Sequence, residues 1–494
     1  MRNNRGRGLI FAILAGGILL RVIQGAVTPY TVTYDNHLEP INILLNEQRL
    51  PKPTECWSCY HPPLFYLTGA VAFEATSRLA TLGGANPAAA HDAGGKAVQF
   101  VSVIAGCITL VLCWRILVVT GPWPDLCVAA GLGVVAFLPA HIRMSAMATN
   151  DVFAQMWMTA MLLMVLRARR TGWATFSCIL VGVMAGAATL SKAYGMVSVA
   201  FALFACALGR DKEPGEASEV GQALPSDKVR GPWTALWKRL ALVGVTCVVV
   251  GGEPSIRNMW ISGKPIVDNF ELFDSRQKIQ PPASLAGVSF FSFRPGALFQ
   301  HPWLHMTTVD SFPTELFARL WFDYSGFQNS LLTHKPWTER RRLIEASHPG
   351  NENRAFFEEF LNYEESSTPA PLRWVGRCAY ALGLPLTLLA IVGLAGALWH
   401  GRFRGTGLLF AVYLIGCLFI PVLQTLRLPI FSAMKSEYSL GALACGAFGV
   451  AWMLARLPRH AMVIGVGVTL GLLAALAIVD LAYLWQIWGA PRYS

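Results

Sequence analysis

Charge is scarce in this 494-residue chain, with Asp, Glu, Lys and Arg together making up 14% of it. A soluble domain of ordinary composition carries about a quarter. With 54% hydrophobic residues and a mean hydropathy of +0.45, that shortage excludes a disordered chain. The 45 Gly follow no triplet period, and 11 Cys in 494 residues are too dilute for a small disulfide scaffold. No repeat of fixed period is visible, so a solenoid is excluded. The net charge of +11 does not gather on a basic helix with interleaved aromatics, and no nucleic-acid partner is expected. A Gly-rich phosphate loop and an Asp-x-Asp pair are also missing, and with them the usual signs of a nucleotide substrate.

Apolar length is what the chain has in abundance. Runs able to cross a hydrocarbon core, ~20 residues each, recur from end to end. They predict an all-α polytopic membrane protein of about eleven helices, near 9–27, 100–120, 125–140, 152–166, 173–190, 194–208, 241–252, 379–398, 407–423, 439–454 and 462–487. Sixteen Trp and 27 Phe suit such a chain, because aromatic rings settle at membrane interfaces. Cys107, Cys178, Cys247, Cys417 and Cys445 fall singly in these runs, as small hydrophobes.

The basic residues set a sidedness. Arg2, Arg5 and Arg7 precede the first run, so the N-terminus is expected in the cytoplasm. Arg21 interrupts that run and no small-residue cleavage site follows, which favours an anchor over a signal peptide. Arg167, Arg169, Arg170, Arg402, Arg404, Arg456 and Arg459 then fall on the same side. The chain divides into an N-terminal membrane module (1–254) with a first outer loop (28–99), an extracytoplasmic soluble domain (255–376) and C-terminal helices (377–494). Residues 210–238 read as a flexible cytoplasmic loop. Arg143, Lys192, Arg427 and Lys435 break the pattern, sitting in short outer turns. Headgroup pairing accounts for any one of them; four in three separate turns predict convergence on an anion.

The stretch Tyr34-Asp35-Asn36-His37-Leu38-Glu39 follows the first span. An acid at a helix end is ordinarily a solvated cap. Here it precedes an amphipathic run (41–50) and an aromatic double-proline re-entry, Tyr60-His61-Pro62-Pro63-Leu64-Phe65-Tyr66. Further on come Thr149-Asn150-Asp151, Leu190-Ser191-Lys192-Ala193-Tyr194-Gly195, Ile256-Arg257-Asn258 and Gly263-Lys264-Pro265.

In that order, these stretches resemble the C-type (GT-C) glycosyltransferases that use polyprenyl-phosphate sugars, in the branch of the protein O-mannosyltransferases and the lipid A aminoarabinose transferase. The resemblance covers residues up to about 270; beyond it only the helices and the turn at Lys435–Tyr438 match. The family has Asp-Glu at the first motif, and Asn36 departs from it. The resemblance implies an inverting transfer from a polyprenyl-phosphate-linked sugar to an acceptor hydroxyl of a protein Ser/Thr or a glycan, at the extracytoplasmic face of a bacterial cytoplasmic (inner) membrane. It implies Asp35 as catalytic base, with Asp151 positioning the acceptor or the basic groups or helping to hold a metal. Lys192, Arg257 and Lys435 are implied at the donor phosphate, and His61, Tyr66, Glu39 and Tyr194 as substrate-positioning residues. A divalent cation stays open, and membrane lipids are expected partners. A lipid acceptor such as lipid A is the enzymatic alternative. A transporter or flippase of an anionic lipid-linked sugar is another, though it predicts charges at helix centres and inverted repeats. Asn36 also leaves open a structural subunit without catalysis.

Other residues admit competing readings. Cys56-Trp57-Ser58-Cys59 is either a disulfide or, with His61 or His37, a zinc site. Tyr60 intervenes before His61, which excludes covalent haem attachment. His301 and His305 are spaced i, i+4, but Pro302 and the missing acid exclude a metalloprotease motif. Trp321-Phe322-Asp323-Tyr324 reads as domain core before it reads as an acceptor groove.

Overall fold

The computed structural model describes residues 4–33, 35–209, 232–267, 288–302, 308, 310–323, 370–400, 403–427 and 436–488, and among them there is no strand. The chain runs through α1 (Asn4–Val27), α2 (Leu38–Glu47), α3 (Leu64–Leu82), α4 (Pro87–Thr120), α5 (Asp125–Ala136), α6 (Pro139–Ser145), α7 (Asn150–Thr171), α8 (Thr175–Ser191), α9 (Met196–Leu208), α10 (Pro232–Gly251) and α11 (Glu253–Ser262). Three short helices follow, α12 (Val288–Phe291), α13 (Pro295–Gln300) and α14 (Phe312–Ala318). The C-terminal part is α15 (Ala370–Trp399), α16 (Arg404–Arg427), a 3-10 turn (Ser436–Ala442), α17 (Leu443–Arg456) and α18 (Arg459–Trp488).

Among the described residues, 8 helices are long and apolar enough to cross a membrane, and α5 with α6, bent by 55°, makes a ninth candidate. The shorter apolar helices α8 and α9 fall on the remaining two predicted runs, so each run lands on a helix. Several boundaries differ, α10 among them, which starts at Pro232, ahead of its run and inside the expected loop 210–238. Helix α4 begins thirteen residues before its apolar run because Asn86 caps it, its side chain accepting from the Ala89 N–H at 2.9 Å, with Pro87 in the first turn. Helix α15 likewise starts ahead of its run, at Ala370.

Small residues let the bundle close. A Cβ on Gly393 of α15 would collide with the Gly449 carbonyl of α17, and one on Gly449 with the Ala390 carbonyl. Such backbone approach is how helices associate where lipid is as apolar as leucine.

Polar groups inside the bundle are tied to helix breaks. Pro139 has no N–H to offer the Val135 carbonyl, so the α5–α6 bend leaves carbonyls open. Arg21 of α1, fully buried, fills them. Its Nη1 donates to the Ala136 carbonyl at 2.9 Å and its Nη2 to that of Val135 at 3.1 Å. Nη2 also lies 2.6 Å from His141 Nδ1.

Arg143 corrects an expectation. It is not in an outer turn facing an anion, but 0% exposed, on α6. Its Nη2 donates to Asp480 of α18 at 2.8 Å and its Nη1 to Gln24 of α1 at 2.6 Å. The guanidinium lies 4.0 Å from the centre of the Tyr483 ring. A charge in this setting needs a partner more than a ligand.

Most of the expected soluble domain lies outside the described residues, as do Tyr324 and His305. The stretch of it described between 288 and 323 lies against α15. The Tyr380 hydroxyl donates to the Pro302 carbonyl at 3.0 Å, Trp321 Nε1 to Thr387 Oγ1 at 3.0 Å, and Arg377 Nε to the Phe299 carbonyl at 2.8 Å. Trp321 and Phe322 are buried there with Phe317 and Tyr380, as core. His301 ends α13.

Removing one member of the Arg143–Asp480 pair strands the other. Asp480→Leu is expected to destabilise the detergent-solubilised protein by about 3–5 kcal/mol, and Arg143→Met/Asp480→Leu to recover most of that. Thermal unfolding checks this; equal losses in single and double variants overturn it.

Candidate active site

The site forms where α1 stops. Lys96 of α4 donates its Nζ to the Gly25 and Thr28 carbonyls, each at 2.6 Å, and Gln99 Nε2 donates to Thr28 at 3.0 Å. With the helix end thus satisfied, the chain turns towards Asp35. Thr33 Oγ1 donates to the Asp35 carbonyl at 3.0 Å, and the His37 N–H to the same oxygen at 2.9 Å. The Asp35 carboxylate is half-buried, and its Oδ1 accepts from Trp57 Nε1 at 3.1 Å.

Helix α3 brings the second group. Its first turn, entered through Pro62 and Pro63, packs Phe65 and Tyr66 in the core with Phe153 of α7. The Tyr66 hydroxyl lies 3.2 Å from the Ser58 carbonyl and 2.9 Å from His37 Nδ1. A phenol has one proton, and a carbonyl only accepts. Tyr66 therefore donates to Ser58, and His37 carries a proton on Nδ1. Burial first, then the Asp35 and Asp151 carboxylates, push the Tyr66 hydroxyl well above its usual pKa. It stays protonated. The rings of His37 and His61 stack with centroids 5.8 Å apart.

Asp151 opens α7. Thr149 caps the helix, and its Oγ1 also donates to Asp151 Oδ2 at 2.7 Å. Lys192 Nζ donates to Asp151 Oδ1 at 2.6 Å, with both side chains nearly buried. Lys192 interrupts the α8–α9 pair in extended conformation, before a 3-10 turn at Ala193–Gly195. Gly195 is needed in that turn, since a Cβ there would collide with the Ala188 backbone. The turn thus folds back onto α8 and aims Lys192 at α7. The Tyr194 hydroxyl donates to the Asp151 carbonyl at 3.1 Å.

Arg257 comes from α11. Its Nη2 donates to the His61 carbonyl at 3.1 Å, and Glu253 lies 3.7 Å from its Nε. Burial lowers the Arg257 pKa, against the pull of Glu253 and Tyr66. A guanidinium in that position gains from any further anion. Beside it a groove lined by His61, Thr189, Met196, Pro254 and Asn258 runs between the double-proline turn, the Lys192 turn and α11.

The structure thus gathers Asp35, His61, Tyr66, Asp151, Lys192, Tyr194 and Arg257 at one end of the bundle. Glu39 stands apart, exposed in the first turn of α2. Lys435 and Arg402 lie outside the described residues. Both tyrosines spend their hydroxyls on backbone carbonyls, so they frame the acids. Sequence reading offered His37 only as a candidate zinc ligand and assigned no role of their own to Trp57 or Thr149. The signals were their places: beside Asp35, inside the Cys-x-x-Cys loop, and at a helix start two residues ahead of an acid.

Cys56 and Cys59 are joined in a disulfide, so their thiolates cannot hold zinc, and that reading is withdrawn. No group of three or more His, Cys, Asp and Glu placed to hold a metal occurs among the described residues. Asp151 already has an ammonium on one oxygen and a hydroxyl on the other, a donor set that does not fit a resident cation.

No protein-family model and no curated protein matches the sequence. Solved structures do match. The chain is similar to the oligosaccharyltransferase of Archaeoglobus fulgidus solved with Zn and sulfate, with a TM-score of 0.48, 15% identity, and coverage of 98% of this chain and 54% of that one. The same organism's AglB, solved with an inhibitory peptide and a dolichol-phosphate, gives 0.47 at 12% identity over 99% and 56%. The chain spans about half the length of these archaeal proteins. ArnT from Cupriavidus metallidurans, bound to undecaprenyl phosphate, gives 0.39 at 12% identity over 92% and 78%.

Thr149 both caps α7 and holds Asp151. Thr149→Val is expected to cost about 1 kcal/mol in thermal unfolding, as lost caps do, and Thr149→Ser to restore it. A Val variant as stable as the wild type removes Thr149 from this role.

Proposed function

We propose that the chain is a GT-C glycosyltransferase, moving a sugar from a polyprenyl-phosphate carrier to an acceptor hydroxyl of a protein Ser/Thr, a glycan or a lipid. One observation carries the reading: a half-buried carboxylate, Asp35, shares one end of an apolar bundle with two cations, Lys192 and Arg257, supplied by distant segments. A donor whose tail stays in the bilayer and whose reacting carbon sits on a phosphate needs that combination. The charge pattern supports placing this end at the extracytoplasmic face of a bacterial cytoplasmic membrane. In this reading the chain divides at 254 and 376.

The acceptor hydroxyl gives its proton to Asp35 as its oxygen attacks the anomeric carbon. Trp57 occupies Oδ1, which leaves Oδ2 for that proton. The bond from the anomeric carbon to the phosphate oxygen breaks on the opposite face, inverting the configuration, and its electron pair leaves with the polyprenyl phosphate. Arg257 and Lys192 meet that charge, with Lys435 as a third candidate. Charge stabilisation where water is excluded is usually the largest catalytic term. Asp151 holds Lys192 in place and keeps a buried ammonium tolerable without ligand.

The test is transfer by purified protein in proteoliposomes, offered a panel of polyprenyl-phosphate monosaccharides and acceptors, with products read by mass spectrometry. Asp35→Asn is expected to lower turnover at least ~100-fold with unchanged thermal unfolding. Arg257→Ala is expected to lower kcat/KM for the donor on the order of 100-fold. Near-wild-type turnover in Asp35→Asn overturns the base assignment, and lipid-linked sugar crossing the bilayer with no new glycosidic bond points to a transporter.

A further inference from the structure

We propose that the closed Cys56–Cys59 loop positions the Asp35 carboxylate through Trp57, so that full activity requires the disulfide. The inference rests on the proposed role of Asp35 as base. The loop encloses two residues, and each reaches across to the site. Trp57 Nε1 donates to Asp35 Oδ1 at 3.1 Å. The Ser58 carbonyl accepts from the Tyr66 hydroxyl at 3.2 Å and from the His61 N–H at 3.3 Å. The Cys59 N–H donates to the Cys56 carbonyl at 3.1 Å, closing the turn. Cys56, Ser58 and Cys59 are buried against the protein, with Cys59 at 0% exposure.

A disulfide spanning so few residues removes little chain entropy from the unfolded state. Its effect is local: it fixes the direction in which the indole leaves the backbone. Trp57 is a positioning residue, acting on the acceptor through Asp35. With the loop open, the Ser58 carbonyl and the indole no longer arrive together, and Tyr66, His37 and Asp35 lose a common support.

Opening requires a dithiol reductant. One of its thiolates attacks a cysteine sulfur to give a mixed disulfide, and its second thiol displaces the protein sulfur. The reductant is oxidised to a disulfide, and Cys56 and Cys59 gain two electrons and two protons as free thiols. Such an enzyme is fully active in an oxidising compartment and about tenfold slower under reduction.

The experiment compares the full-length oxidised protein, the same protein reduced with dithiothreitol, Cys56→Ser/Cys59→Ser and Trp57→Phe. Hydrogen–deuterium exchange over residues 35–38 is read in each, together with kcat and donor KM. Reduction is expected to speed exchange in 35–38 and to lower kcat about tenfold, as loss of orientation does, while KM stays within about twofold. The double serine variant behaves like the reduced protein and no longer responds to dithiothreitol. Trp57→Phe shows the same loss of kcat and is equally indifferent to reduction; Trp57→His, which keeps a ring N–H, recovers part of it. Unchanged exchange on reduction, or losses from Trp57→Phe and reduction that multiply, overturn the proposal. Should the oxidised wild type transfer no sugar, the glycosyltransferase reading fails. The exchange data still decide the coupling: faster exchange in both the reduced and Trp57→Phe proteins supports it, and unaltered exchange refutes it.

Discussion

The Asp151–Lys192 ion pair is the fixed point of this structure. Neither charge is tolerable alone at its depth, so each determines where the other's helix must be. Asp151 sits in the first turn of α7, Lys192 at the break after α8, and the 2.6 Å contact between them locks the two ends together. Tyr194 adds a hydrogen bond to the Asp151 backbone, and Thr149 occupies the second carboxylate oxygen. The double-proline turn and α11 then meet beside this pair through Arg257 and the His61 carbonyl.

Elsewhere in the bundle the same rule works at larger scale. At two places where a helix stops or bends inside the bundle, a long polar side chain from a neighbour takes up the carbonyls left open. Lys96 and Gln99 do this for the end of α1, Arg21 for the α5–α6 bend. Four cations of the described residues divide accordingly. Arg21 and Arg143 satisfy the bundle, Lys192 pairs with Asp151, and Arg257 binds the His61 carbonyl beside the groove at α11.

Helices were legible because their signal is additive: an apolar run of sufficient length has few alternatives. Their ends were less so, because Asn86 and Pro87 extend α4 through local capping that hydropathy does not register. Asp35, Tyr66, Asp151, Lys192 and Arg257 could be singled out from the sequence because polar groups are few here and stand in recognisable stretches, and the structure gathers them at one end of the bundle. Arg143 misled for the same reason: its sequence position matches that of Lys192, and its partner Asp480 lies 337 residues away. Pairing over such a separation leaves no local trace. Trp57 was hidden differently, since an aromatic between two cysteines has many explanations and its contact with Asp35 exists only in three dimensions. Residues 324–369 and Lys435 lie outside what the structure describes.

The bend at Pro139 carries a consequence for how this sequence can drift. Arg21 is at once the remedy for the missing N–H and a buried charge justified only by the open carbonyls it finds. Replacing Pro139 with a residue that completes the helix would take the Val135 acceptor away from Arg21; replacing Arg21 first would leave the bend with bare carbonyls. Each residue makes the other's loss harmful, so the two are entrenched. A lineage that acquired both has a ratchet at the heart of its bundle, in which the kink persists because neither half can be undone alone.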